Sequence, residues 1–156
     1  MDNLKFEGAT LLSVYEARTL LSEEGRKYPH WWWLRLHGIF RDLVAYVLYD
    51  GSILQAGGIV ASEGCVRPAL KISPESSGYK IGDTFSFGGK RFRIISDNLA
   101  FCLEDIGFCC FREDYKAFNA NVHDASDVKR FVDGWFEKAV REYKHSRLPL
   151  APGTDY

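Results

Sequence analysis

Three consecutive tryptophans begin the segment Trp31-Trp32-Trp33-Leu34-Arg35-Leu36-His37-Gly38, and this segment decides the fold. Each indole carries about 150–250 Å² of mostly apolar surface and one N–H that needs a partner, so at least one ring must be buried. Successive side chains of an extended segment point to opposite faces, which places Trp31, Trp33 and Arg35 on one face and Trp32, Leu34 and Leu36 on the other. A strand that is apolar on both faces is predicted to lie in the centre of a sheet.

The composition predicts one domain with a substantial core. The chain has 156 residues, of which 46% are hydrophobic and 15% aromatic, and this is enough for one packed unit. Its 20 basic and 21 acidic residues nearly balance, so no positive field indicates nucleic acid or an anionic membrane. The sequence shows neither an apolar run of roughly 18 residues nor a signal peptide. We therefore expect a cytoplasmic protein without a nucleic-acid or membrane partner.

Two segments carry the signals of the main helices. Ser13-x-x-Glu16 is a capping box and predicts a helix over about residues 13–22. Ser126 is a second N-cap, and the apolar residues that follow it recur at spacings of three and four. This pattern predicts an amphipathic helix over about residues 126–144.

Turn sequences predict two antiparallel hairpins. Asp50-Gly51 is a two-residue turn that supplies positive φ, and it joins β-branched and aromatic arms at residues 43–49 and 52–55. Gly88-Gly89 joins the two arms of a second hairpin within residues 84–95. Both sequences favour a fold built largely from antiparallel strands.

The segment between the hairpins contains a predicted strand and a linker. Residues 65–72 read as one strand, and Pro68 favours a place at a sheet edge or bulge because proline lacks a backbone N–H. Residues 73–78 are rich in serine, with one proline and one glycine, a composition typical of linkers. The linker divides the chain into two parts of similar size.

The four cysteines give no metal or redox motif. Cys65, Cys102, Cys109 and Cys110 show no C-x-x-C spacing, and we expect buried free thiols in a reducing compartment. The four histidines are scattered, and no catalytic or phosphate-binding motif occurs. The sequence therefore predicts no catalytic residue, no metal site and no cofactor.

Several motifs together resemble one known family. Trp32-Trp33-Leu34-Arg35 followed by Gly38, and later Val66-Arg67-Pro68-Ala69-Leu70, resemble an uncharacterised family of bacteria and their phages that carries W-W-L-R-S-P-G and G-V-R-P-A-L. That family looks related to the C-type-lectin-like fold, which formylglycine-generating enzymes share with the variable proteins of diversity-generating retroelements. Leu36 and His37 stand where the family has Ser and Pro. The resemblance implies a fold, and it transfers no reaction.

The order of the matching segments implies a circular permutation. Residues 4–72 resemble the second half of the family and residues 79–144 its first half, joined by the linker at 73–78. Proteins tolerate circular permutation when the chain termini lie close together. We therefore expect a single α+β domain of permuted C-type-lectin-like fold over residues 1–146, followed by a flexible tail at residues 147–156.

The surface from residue 37 to residue 55 is the first candidate for recognition. It combines aromatic, apolar and arginine side chains, a mixture that is enriched in binding hot spots, and the resemblance implies that ligand loops lie in this region. Half of these side chains fit ordinary core positions equally well. The candidate binding residues are His37, Phe40, Arg41, Tyr46, Leu48, Tyr49 and Gln55.

Arg35 and Arg67 form a second candidate because each lies in an otherwise apolar strand. An unpaired buried charge costs several kcal/mol, on the order of 3–5, so both side chains need partners. Backbone carbonyls, or a carboxylate such as Asp83 or Asp97, would give them a structural role. The alternative is an anion pocket formed by Arg35 and Arg67 with Trp31 and Trp33.

These observations favour a non-enzymatic binding protein. The resemblance implies a phage or mobile element as its source, and a bacterial host protein as its partner, for example a host defence protein that it inhibits. One alternative is a sponge that sequesters an anionic, nucleotide-type ligand between tryptophan rings and arginine. Another is a copper- or thiol-dependent oxidase of the formylglycine-generating type, with Cys102 and Cys109 holding copper.

Overall fold

The computed structural model describes residues 3–147 as one α+β domain with ten strands and two main helices. The helices are α1 (Val14–Leu20), a short α2 (Glu23–Arg26) and the long α3 (Asp127–Arg147), and a 3-10 turn (His123–Ala125) precedes α3. The strands are β1 (Phe6–Thr10), β2 (Trp32–His37), β3 (Leu43–Val47), β4 (Ile53–Ile59), β5 (Glu63–Cys65), β6 (Ala69–Ile72), β7 (Thr84–Phe87), β8 (Lys90–Ile94), β9 (Leu99–Cys102) and β10 (Phe108–Cys110).

The strands form two five-stranded sheets, and the tryptophan strand is central in one of them. The first sheet has the order β1-β6-β9-β8-β7, and the second has the order β10-β5-β2-β3-β4. β2 pairs with β3 in antiparallel orientation, and with β5 in parallel orientation through Trp32 and Cys65. The predicted central position of the tryptophan strand is therefore confirmed.

Adjacent tryptophans of β2 belong to two different hydrophobic cores. Trp33 lies in a first core together with residues of the first sheet and of α3, while Trp32 and Leu34 lie in a second core that α1 covers. Trp32 and Trp33 are fully buried, and Trp31 is half-buried against the first core. The alternation predicted from the sequence thus organises the packing on both sides of β2.

The parts of the chain before and after residues 73–78 share both cores and both sheets. β6 pairs with β9 in the first sheet, and β5 pairs with β10 in the second. The first core contains Trp33 from one part and Phe92 from the other. The two parts therefore pack as one body, and residues 73–78 contain no helix or strand.

The first predicted helix is shorter than expected and is followed by a second one. Ser13 caps α1 in a capping box with Glu16, as the sequence predicted, but α1 ends at Leu20 instead of residue 22. The Ser22 side chain accepts a hydrogen bond from the N–H of Gly25 and starts α2. A serine that caps the next turn competes with continuation of the helix, which explains the interruption.

The second predicted helix is confirmed. α3 spans Asp127–Arg147, and the Ser126 hydroxyl accepts from the N–H of Lys129 at 3.1 Å. Its apolar side chains, such as Val128 and Val132, are buried in the first core. Within residues 3–147, no helix is long and apolar enough to cross a membrane. The predicted flexible tail at residues 147–156 lies, beyond residue 147, outside the described residues.

The prediction of one strand over residues 65–72 is wrong. β5 ends at Cys65 in the second sheet, and β6 begins at Ala69 in the first. Between them, Val66 exchanges backbone hydrogen bonds with residues 106 and 107, and Pro68 accepts from the N–H of Cys102. The buried Arg67 lies in this crossing, and its side chain donates to the carbonyls of Cys102, at the end of β9, and Glu104.

Both predicted hairpins are present. β3 pairs with β4 around a turn in which Gly51 has a φ of 91°, and β7 pairs with β8 around Gly88-Gly89. The register of the β3–β4 pair shifts between Val44 and Tyr46, opposite the part of β4 that contains Gly57, whose φ is 107°. β4 continues past this register shift to Ile59.

Replacement of Trp33 tests the energetic weight of the first core. We expect Trp33→Ala to lower the free energy of unfolding by about 3–5 kcal/mol, because it removes a fully buried indole and leaves a cavity. Tyr15→Ala is the matched control, since this aromatic side chain is 75% exposed. Urea denaturation of both variants measures the difference. A loss below about 1 kcal/mol for Trp33→Ala would contradict the packing described above.

Candidate functional site

The seven residues predicted for recognition lie at separate places on the second sheet. His37, Phe40 and Arg41 lie at the β2–β3 loop and are exposed, whereas the half-buried Leu48 and the exposed Tyr49 lie at the β3–β4 turn. Tyr46 is half-buried, with its ring 5.2 Å from that of Trp31. Gln55 is exposed and accepts a hydrogen bond from Arg18 of α1 at 3.5 Å.

The length of β3 separates the two exposed groups. β3 runs from Leu43 to Val47, and a strand advances about 3.3 Å per residue, so its two ends are roughly 13 Å apart. The β2–β3 loop and the β3–β4 turn therefore present separate surfaces. Tyr46 lies between them, and its ring packs against the first core and close to Gly58. We therefore assign Tyr46 to the core and not to either surface.

The β2–β3 loop is joined by a second loop that sequence reasoning did not assign to a site. Residues 114–122 carry Tyr115, Phe118 and Val122, all of which are exposed. The residues of the two loops and of the nearby end of β4 define what we call the loop surface. Its exposed apolar side chains are Ile39, Phe40, Ile59, Tyr115, Phe118 and Val122.

Hydrogen bonds hold the two loops of the loop surface together. The Asn121 side chain donates its Nδ2–H to the carbonyl of Phe40 at 3.1 Å. The N–H of Arg112 donates to Val60, whose own N–H donates to the carbonyl of Asp42. An open cavity of about 500 Å³ lies between the two loops and is lined by Phe40, Arg41, Asp42, Tyr115 and Lys116.

The four residues predicted for an anion pocket are not brought together. Trp31 and Trp33 pack edge to face, with ring centroids 4.8 Å apart, on the side of the first core. The guanidinium of Arg67 lies over the rings of the second core, 4.9 Å from the centroid of Trp32. Arg35 lines a surface cavity beside β1. Trp31, Trp33 and the two arginines therefore do not line a common pocket.

Arg35 has a carboxylate partner, but not one that the sequence suggested. Its Nη1 donates to the carbonyl of Leu11 and to Oε1 of Glu16, both at 2.7 Å. The prediction of Asp83 or Asp97 as the carboxylate is therefore wrong, while that of a backbone carbonyl is confirmed. The N–H of Ser13 and Arg35 lower the pKa of Glu16 against the opposing effect of its partial burial. Glu16 thus both caps α1 and fixes Arg35.

Arg67 lies inside a box of aromatic rings. It is only 3% exposed, and its guanidinium carbon lies 4.2 Å from the ring centroid of Tyr28 and 4.5 Å from that of Phe101. Its Nε and Nη2 donate to the carbonyls of Glu104 and Cys102, both at 3.2 Å. Nη1 is buried without a hydrogen-bond partner in the described part of the chain.

Electrostatics in the aromatic box follow from burial. Burial lowers the pKa of Arg67 to about 10, so the guanidinium stays charged at neutral pH. The Tyr28 hydroxyl donates to Oδ2 of Asp105 at 2.5 Å, and burial together with this bond raises the pKa of Tyr28. Cation–π contacts and two charge-assisted hydrogen bonds offset the desolvation of the charge. We interpret Arg67 as a structural residue between the two sheets.

Arg67→Lys tests this interpretation. Lysine has no planar fork to stack between rings and to donate to two carbonyls at once, so we expect the free energy of unfolding to fall by about 2–3 kcal/mol. Arg91→Lys is the matched control because Arg91 is exposed. Chemical denaturation measures both variants. Equal stability of Arg67→Lys and wild type would show that the box does not need a guanidinium.

The cysteines are free and poorly suited to metal or thiol chemistry. Cys65 and Cys102 are buried, while Cys109 and Cys110 are half-buried. Burial raises the pKa of Cys65 to about 12 and those of Cys102 and Cys109 to about 11. Because the thiolate is the metal ligand and the nucleophile, these thiols are mostly inert at neutral pH. Among the side chains that the structure describes, at residues 3–143, no group of three His, Cys, Asp or Glu is arranged to hold a metal ion.

His123 gives the fold a predictable pH dependence. Its side chain is 14% exposed, and its Nε2 is buried without a partner among the described residues. Burial lowers the pKa of His123 to about 4, with smaller opposing effects from Asp124 and Asp133 and additional lowering by Arg35 and Lys129. Between about pH 6.5 and pH 4, the unfolded state binds the proton that the folded state excludes, so stability falls as the pH falls.

His123→Gln should remove this dependence. In the wild type, exclusion of the proton from His123 should lower the free energy of unfolding by about 2 kcal/mol between pH 7 and pH 5. The fall in the variant should be smaller by this amount. Denaturant titrations at both pH values measure the difference between the two proteins. An identical pH slope in His123→Gln would show that the imidazole protonates freely in the folded state.

Comparison with known proteins gives no relative from which a function can be carried over. No family model matches the chain, and neither a curated protein nor a solved structure matches it. The loop surface and the cavity beside Arg35 are the candidate sites that the described residues offer.

Proposed function

We propose that the chain is a non-enzymatic domain that binds a protein partner through the loop surface. The observation that carries this proposal is the exposure of large apolar side chains on two loops that the hydrogen bond from Asn121 to Phe40 joins. Phe118 is 84% exposed, and Phe40 is 65% exposed. Contiguous exposed apolar residues of this size mark interaction sites in globular proteins, and aromatic anchors dominate the energy of protein interfaces.

The backbone of the loop surface is well organised for binding. The bond from Asn121 to Phe40 links the two loops, and residues 114–122 form successive turns, with Ala117 donating to Asp114, Ala120 to Ala117 and Val122 to Asn119. An ordered loop loses less conformational entropy on association than a mobile one. This order favours specific recognition by Phe40 and Phe118.

The charges beside the loop surface favour a protein partner. Arg41 and Lys116 are positive, and Asp42 and Asp114 are negative. An apolar centre with charges of both signs at its rim is typical of protein interfaces. Nucleic acid would require a predominantly positive surface, which this mixture does not supply.

The wider proposal follows from the family resemblance. We propose a phage or mobile element as the source, the bacterial cytoplasm as the location, and a host protein, for instance a defence protein that is inhibited, as the partner. The permuted C-type-lectin-like fold belongs to the same proposal. Its support is that each of the two exchanged parts contributes strands to both sheets, as expected for two portions of one domain.

The two alternative functions have weaker support. A nucleotide sponge needs free tryptophan faces beside the arginines, whereas Trp33 is fully buried against Trp31 and Phe111. A copper or thiol oxidase needs reactive thiolates, whereas burial raises the pKa values of Cys102 and Cys109. Protein binding therefore remains the function that the geometry supports best.

The test is capture of a partner from bacterial lysate, followed by affinity measurement with the purified partner. We expect Phe40→Ala and Phe118→Ala each to weaken binding about 30-fold, which corresponds to about 2 kcal/mol for an aromatic anchor. The two side chains are exposed, so the variants should keep the wild-type stability.

Tyr49→Ala is the matched control for this experiment. Tyr49 is a similarly exposed aromatic residue, but it lies at the opposite end of β3. Its replacement should leave the affinity unchanged. Binding that survives Phe40→Ala and Phe118→Ala but is lost in Tyr49→Ala would move the interface to the β3–β4 turn and reject the loop surface.

A further inference from the structure

An open cavity beside β1 is separate from the loop surface. Its volume is about 480 Å³, within the range of small-molecule sites. Side chains from β1, α1, β2, β6 and the start of α3 line it, so it lies where the two sheets meet. None of its lining residues belongs to the loop surface.

The charges around the cavity balance. Three cationic side chains line it, Arg35, Lys71 and Lys129, together with three carboxylates, Glu7, Glu16 and Asp124. Two of the cations are already paired, Arg35 with Glu16 and Lys129 with Asp133, which does not line the cavity. His123 also lines the cavity and is neutral at pH 7, because burial holds its pKa near 4. Because the lining offers charges of both signs, it suits a ligand that carries a positive and a negative group better than a simple anion or cation.

Arg35 is pre-organised to bind a carboxylate. Leu11 and Glu16 engage only its Nη1, and its Nε and Nη2 have no hydrogen-bond partner among the described residues. Neither atom is buried, so both donors are open to the solvent side. Two adjacent guanidinium donors match the geometry of a carboxylate.

Two of the carboxylates are free to bind an ammonium group. Glu7 has no ion-pair partner within the part of the chain that the structure describes, and Asp124 approaches only the neutral His123, at 3.9 Å. Glu16, in contrast, is occupied by Arg35. The free negative charges of the cavity are therefore those of Glu7 and Asp124.

The remaining residues that line the cavity suit a ligand whose apolar part is small and aliphatic. Ile72, Pro74 and Leu99 supply apolar contact, and no Phe, Tyr or Trp is among the described residues that line the cavity. A nucleobase would lack the stacking surface on which such ligands depend. The size of the cavity accommodates a single amino acid or a short peptide.

We propose that this cavity binds a small zwitterion, a free α-amino acid or a short peptide, with its carboxylate against Arg35 and its ammonium group against Glu7 and Asp124. The site is independent of the proposed protein-binding function. Its failure in an experiment would leave the loop surface untouched, and the reverse also holds.

Thermal unfolding with defined probes tests the proposal. The probes are the L-amino acids, glycylglycine, N-acetyl amino acids, amino acid amides and inorganic phosphate. We expect at least one zwitterion to raise the Tm by about 2–5 °C at saturating concentration, while its N-acetyl and amide derivatives, each lacking one charge, do not. A Tm shift with free amino acids but not with glycylglycine would identify a single amino acid as the ligand, and the reverse would identify a short peptide.

Variants of exposed residues assign the binding to the cavity. The double variant Glu7→Gln, Asp124→Asn should weaken binding of the zwitterion at least tenfold by calorimetry, and Lys71→Ala should weaken it less, since Arg35 remains. Glu137→Gln is the control, because Glu137 is exposed on α3 and does not line the cavity. The proposal is overturned if no amino acid or peptide shifts the Tm, if the blocked derivatives or phosphate shift it equally, or if the double variant binds as well as wild type.

Discussion

The burial of two neighbouring indoles on opposite faces of one strand is the constraint on which the structure depends. Because Trp32 and Trp33 are both fully buried, β2 needs a packed layer on each side. The second core supplies one layer, with α1 over it, and the first core supplies the other, with α3 and the first sheet. Both cores take side chains from both parts of the chain, so the two parts pack as one domain.

The segment that crosses from one sheet to the other buries a charged side chain, Arg67, against the second core. The chain leaves β5 after Cys65 and enters β6 at Ala69, and Arg67 lies between them with its guanidinium among three rings. Backbone carbonyls, and not a carboxylate, take its hydrogen bonds. A charge stabilised in this way fixes the relative position of the sheets, and it leaves the loops at their edges as the exposed surfaces.

Local sequence patterns predicted the elements whose physics is local. The capping box at Ser13, the turn at Asp50-Gly51 and the alternation around Trp33 each depend on neighbours within a few residues, and all three are present. The break between β5 and β6 is not visible in the sequence, because residues 65–72 are mostly apolar and hydrophobicity does not reveal a change of sheet. Glu16 was recognised as a cap, but its contact with Arg35 depends on the approach of α1 to β2.

The candidate sites were less predictable than the fold for the same reason. Phe40 was identified from its residue type, whereas Phe118 lies in a segment without periodicity, and its exposure depends on the tertiary placement of its loop. The cavity at Arg35 collects side chains from positions as distant as Glu7 and Lys129. Isolated charges in a sequence give no sign of such convergence. The aromatic residues in the irregular segment at 114–122 were the only sequence signal for the second loop.

Native-state hydrogen exchange tests most directly whether the tryptophan strand unites the two parts of the chain. If it does, the slowest amides of β2, β9 and α3 should exchange through the same global unfolding, with equal free energies and equal dependence on denaturant. Exchange of β9 and α3 at a clearly lower free energy, while β2 stays protected, would contradict the account. The two parts would then be separate cooperative units, and the shared cores would not hold them together.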